Sequence, residues 1–94
     1  MKIYEEIEKS FPAIEKQFTQ DDLLEFKNAA IGDLNSYHFG LGLWIRNNLL
    51  YPDDSILYNL FLENGIKYPD EMSSLMIKLF HYCLSKKESP VDFL

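Results

Sequence analysis

The sequence predicts an all-α protein, a compact bundle of four to five short helices. Three observations predict it. Apolar residues recur at three- and four-residue steps, as at Leu34, Tyr37, Leu41 and Trp44. Helix-type punctuation separates these stretches, at Thr19-Gln20-Asp21-Asp22, Pro52-Asp53-Asp54-Ser55, Asn64-Gly65 and Tyr68-Pro69-Asp70. Apolar-polar alternation of the strand type is absent over any useful length.

Each element follows from its own residues. Ile3, Tyr4 and Ile7 form a short amphipathic opening that ends at Ser10-Phe11-Pro12, because a residue before proline is pushed out of the helical region. Thr19 reads as an N-cap with an acid, Asp22, at the third helical position, opening a helix that carries Leu23, Leu24 and Phe26. Gly32 interrupts, and Asp33 or Asn35 can cap the next helix, over about residues 34–49. Its expected face is Leu34, Tyr37, Leu41, Trp44, Ile45 and Asn48. Asp53, Asp54 or Ser55 caps a helix bearing Ile56, Leu57, Leu60 and Phe61, and Gly65 closes it in the left-handed conformation. The last helix opens at Asp70. Met72, Leu75, Met76, Leu79, Phe80 and Cys83 make its apolar stripe, with Ser74, Lys78, His81 and Ser85 on the polar side. A loose tail is expected over about 88–94, and residues 1–94 read as one small domain.

Composition narrows the function. An aromatic content of 15% excludes disorder. Each of the six tyrosines needs a partner or water for its hydroxyl, which places several at the edge of the core or on a binding face. The net charge is −6, spread evenly, with eight acids and five bases in residues 1–47 and seven and four in residues 48–94. That balance argues against nucleic acid, which needs a basic footprint. No run approaches the ~18 apolar residues of a membrane span, and the acidic opening MKIYEEIEKS argues against export, so a cytoplasmic location is expected. One cysteine, Cys83, excludes an internal disulfide framework and a thiolate metal cluster.

The most informative segment is His38-Phe39-Gly40-Leu41-Gly42-Leu43-Trp44-Ile45-Arg46-Asn47-Asn48. A glycine inside a helix costs roughly 1 kcal/mol relative to alanine, so Gly40 and Gly42 imply a close approach, either by a packed neighbour or by a ligand. Arg46 is the single arginine, and it is expected on one helical face with Phe39 and Gly42. Its planar donor fork fits a carboxylate: a structural ion pair to Asp70, Asp33 or another helix-terminal acid, or an anion or partner-carboxylate site. His38 borders the apolar face. No further ligand has metal-site spacing, Cys83 reads as an inert thiol, and no residue is assigned a catalytic role; neither a metal nor a cofactor is expected. The candidate binding set is His38, Gly40, Gly42, Trp44, Arg46, Asn47, Asp70 and Ser73.

Residues 38–48, followed by Leu57, Phe61, Gly65-Ile66, Pro69-Asp70, Met72 and Ser73-Ser74, resemble a family of small bacterial and phage-associated proteins of unknown function. The resemblance covers about residues 33–84. In that family the loop between the two blocks often holds Trp and Gly, whereas this chain has Leu49-Leu50-Tyr51-Pro52. The resemblance implies an α-helical domain and brings no activity. It places residues 38–48 beside 69–74, with Arg46 near the Pro69-Asp70 helix start.

Small size, acidity, surplus tyrosine and thin catalytic candidates lead to the expected function. It is an interaction module that binds another protein, of basic character, and restrains it, as immunity, antitoxin and phage counter-defence proteins do. The alternative is a small-molecule or anion-binding domain, or a minor enzyme, built on the His38–Arg46 helix. A homo-oligomer joined through exposed aromatics is the third reading.

Overall fold

A computed structural model describes residues 2–88. Its elements are α1 (Lys2–Glu15), α2 (Gln20–Asn28), a 3-10 helix (Ile31–Tyr37), α3 (Leu41–Ile45), a π-helical turn (Arg46–Leu50), α4 (Ile56–Glu63) and α5 (Pro69–Glu88). The architecture is all-α, with no strand among the described residues.

Helix α1 runs through Pro12 instead of ending there. Ile3, Ile7, Ser10 and Ile14 are all buried on one side of it, and Phe11 packs on Phe80 with ring centroids 5.3 Å apart. A break at Pro12 would lift Ile14 off the core, so packing overrides the local preference of the residue before proline.

Helix α2 opens as its sequence requires: the Thr19 hydroxyl accepts from the Asp22 amide at 3.1 Å. Phe26 is fully buried at the centre of an aromatic cluster. It stacks on Phe80 at 5.6 Å and meets the edge of Tyr37 at 4.8 Å.

The helix expected over 34–49 is instead broken into four pieces. The 3-10 helix starts after Ala30, which has no side-chain cap, so neither Asp33 nor Asn35 plays the capping role. Residues 38–40 form a turn, α3 follows, and then the π turn, in which the Tyr51 amide donates to the Arg46 carbonyl at 2.8 Å. A π turn adds one residue per turn. Ile45 and Leu50, five apart, therefore both point inward, and Asn48 faces solvent rather than joining the buried face.

Ser55 caps α4, accepting from the Tyr58 amide at 3.1 Å. At the other end Gly65 has φ +83°, and the Ile66 and Gly65 amides donate to Phe61 and Leu62 carbonyls at 2.9 and 3.1 Å. That is a Schellman closure, with Ile66 folded back against the core.

Helix α5 is the central post, touching every other element. It starts at Pro69, and the Met72 amide donates to the Tyr68 carbonyl. Tyr68 is thus the cap and Asp70 lies inside the first turn; proline suits the first helical position because its missing N–H would have no partner there. A helix surrounded by neighbours buries more than a stripe. Ser73 and Ile77 are buried as well as Met72, Met76 and Phe80. His81, expected on the polar side, is also buried, with Nε2 2.9 Å from the Ala29 carbonyl and its ring edge-on to Phe26. Cys83 is half-buried. Glu88 closes α5, and the rest of the expected tail, 89–94, lies outside the described residues.

Candidate functional site

The turn at residues 38–40 separates Phe39 from Arg46. Phe39 is 82% exposed and Arg46 is buried, so they do not share a face. The π turn swings Arg46 toward α5, where three groups receive its guanidinium. Nη1 donates to Ser73 Oγ at 2.9 Å, Nη2 donates to the His38 carbonyl at 3.4 Å, and Nε lies 3.5 Å from Asp70 Oδ1. The Ser73 hydroxyl in turn donates to the Asp70 carbonyl at 3.1 Å. Its proton is held by a backbone acceptor and its lone pair by a cation, an arrangement without the neighbouring base that an attacking serine needs.

Gly42 belongs to the same cluster. A Cβ there would stand 3.0 Å from Arg46 Nη1, 3.6 Å from the Tyr37 carbonyl and 3.7 Å from Ser73 Oγ. The close approach implied by this glycine is therefore made by the guanidinium of its own chain. His38 contributes its carbonyl, and its half-buried ring lies edge-on to Phe39 at 5.2 Å.

The structure thus gathers His38, Gly42, Arg46, Asp70 and Ser73 into one cluster, buried at Gly42, Arg46 and Ser73 and open to solvent at Asp70, and places the other three candidates elsewhere. Asn47 is exposed on the π turn. Gly40 and Trp44 line a cavity of about 440 Å³ together with Phe18, Asp22, Glu25 and Tyr37. Nothing lies within 4 Å of a Cβ placed on Gly40, which leaves the cavity mouth clear. The Tyr37 hydroxyl has a raised pKa, first through burial and then through the nearby Glu25 and Asp22 carboxylates.

A second cavity, of about 510 Å³, runs between the 3-10 helix and α5, lined by Ile31, Leu34, Lys78, Leu79, His81 and Tyr82. Ile31 is 72% exposed at one end of the 3-10 helix, and Phe39 follows its other end. Sequence reasoning missed both cavities. Asp22 was legible as a capping-box acid, and Glu25, three residues on in α2, falls on the same side of that helix. What faces them depends on the turn at 38–40, which the unbroken periodicity concealed.

Residues 5–84 match the model of a family described as Domain of unknown function (DUF6794). The match is consistent with an uncharacterised family, and it spans α1 from residue 5 and α2 as well as residues 33–84. Neither a curated protein nor a solved structure matches the chain. No described helix is long and apolar enough to cross a membrane.

Proposed function

The chain belongs to the DUF6794 family, and we propose that it is an acidic interaction domain that binds a basic protein and restrains it. This is the manner of bacterial and phage immunity, antitoxin and counter-defence proteins, acting in the cytoplasm. The observation that carries the proposal is the groove between the 3-10 helix and α5, with Ile31 held out to solvent beside it. Large apolar side chains kept in contact with water around a concavity mark a place where another surface is covered. The net charge of −6 favours encounter with a basic partner over an acidic one. The arrangement at Arg46 gives no support to the anion-binding alternative, since the donors of that side chain are turned onto Ser73, Asp70 and the His38 carbonyl.

The test is capture from a lysate of the source organism by the wild-type chain, by Ile31→Asp, and by Ile56→Asp, which alters an exposed apolar residue of α4 outside the groove. A stoichiometric basic protein is expected on the wild type and on Ile56→Asp, released by salt and missing from Ile31→Asp. Recovery of no stoichiometric partner, or equal capture by Ile31→Asp, overturns the proposal. Light scattering on the isolated chain tests the rival occupant of the groove, a second copy.

A further inference from the structure

The cavity between α2 and α3 has walls of two kinds. Phe18, Tyr37 and Trp44 supply aromatic surface, while Asp22 and Glu25 add two acidic side chains to the same lining. None of the lining residues is basic, so nothing within the protein's own wall neutralises those acids. Both act on the Tyr37 hydroxyl, so their field reaches into the cavity. Aromatic faces attract cations through the ring quadrupole, tryptophan most strongly. Carboxylates complement a planar donor fork, and a guanidinium is weakly hydrated enough to leave water for a ring face, where an ammonium is held back by its hydration shell.

We propose that this cavity receives an arginine side chain of the partner protein, its guanidinium against Trp44 and Tyr37 and paired with Asp22 and Glu25. The proposal rests on the interaction reading above and names the residue type by which the partner is recognised. Shape and charge point to the same ligand. The cavity, about 440 Å³ and open to solvent on one side, has room for a guanidinium and part of its stem. The open side at Gly40 lets the aliphatic stem of the arginine enter from outside.

Trp44 is the single tryptophan, so its indole N–H gives one resolved signal in a nitrogen-15 correlation spectrum. The probe is a blocked Gly-Arg-Gly tripeptide, with the citrulline peptide, which keeps the shape without the charge, as its counterpart. Saturable shifts are expected at the Trp44 indole and at the amides of Phe18, Gly40 and Leu41. They should be absent with citrulline and weakened by about threefold to tenfold in Asp22→Asn/Glu25→Gln, the range for loss of two exposed charge pairs. Both acidic residues are exposed, so the double variant is expected to fold, which circular dichroism checks. Equal shifts with the citrulline peptide, or stronger ones with spermidine, overturn the proposal. Full capture of the partner by the double variant, with capture lost in Ile31→Asp, sinks the arginine pocket and leaves the interaction reading standing. Saturation at Trp44 with no partner captured by any form does the reverse.

Discussion

At the scale of single residues, the knot around Arg46 ranks its own members. Removing the guanidinium takes away a buried charge-assisted bond and the packing of the stem, so Arg46→Ala is expected to cost about 2–4 kcal/mol. Ser73→Ala leaves the cation one acceptor short and should cost about 1–2 kcal/mol. Asp70 is 72% exposed at its side chain, so its pair with Arg46 is screened and Asp70→Asn should cost less than about 1 kcal/mol. Urea denaturation of the three variants checks that order. Gly42 adds a coupled prediction. In the wild type an alanine there gains at most roughly 1 kcal/mol of helix propensity but displaces the guanidinium, an overpacking of about 1–3 kcal/mol. Gly42→Ala should therefore destabilise the wild type and stabilise the Arg46→Ala chain, a reversal that a double-mutant cycle reads directly. Tyr37 sets an alkaline limit. Burial first, and then Glu25 and Asp22, hold its pKa above the ordinary value of 10.0. The folded chain thus keeps a proton that the unfolded chain has lost, and the stability so gained is present below pH 10 and disappears as the pH climbs toward the raised value. Above about pH 10, the denaturation midpoint of the wild type should fall more steeply than that of Tyr37→Phe.

At the scale of elements, local chemistry was readable wherever one or two residues decide the backbone. Thr19 and Ser55 cap as they should, and Asn64-Gly65 closes α4. The ion pair between Arg46 and Asp70 was also legible, because one arginine and one helix-start acid belonged to the two blocks expected to meet. What the sequence hid were choices made by distant neighbours. Periodicity across 34–49 looked continuous, yet Phe39 faces solvent and Ile45 and Leu50 sit five apart, which only a turn and a π-helical step allow. His81 looked polar, but its ring is wanted by Phe26 and by the Ala29 carbonyl from another helix. Both cavities fall in this second class, since each needs walls from separate elements. Pro12 makes the contrast testable. It interrupts α1 by lacking the amide hydrogen that the Glu8 carbonyl would receive and by crowding that carbonyl with its ring, and it is exposed. Pro12→Ala should regain up to about 3 kcal/mol of helix propensity and give back about 1 kcal/mol of unfolded-chain restriction. A net gain of about 1–2 kcal/mol, visible as a higher thermal midpoint, is expected.

At the scale of the molecule, α5 joins what the other helices cannot join among themselves. Phe80 meets Phe11 of α1 and Phe18 of the loop that follows it, and Ser73 ties the π turn to the same post. A chain of this length has roughly 5–14 kcal/mol of total stability, so a cavity in that post is felt everywhere. Met76 is fully buried, and Met76→Ala should remove about 2–5 kcal/mol. Helix content by circular dichroism and Trp44 fluorescence should move together in this variant, since no element keeps a core of its own.

The contact between Gly42 and Arg46 also bears on how chains of this kind can diverge. An alanine at the glycine position would stand 3.0 Å from the guanidinium, which must then give by a few tenths of an ångström against its bond to Ser73, so the change is better tolerated where the arginine has already gone. Among relatives that keep this backbone, the two positions are therefore expected to vary as a pair, and arginine should be found where the other residue is glycine.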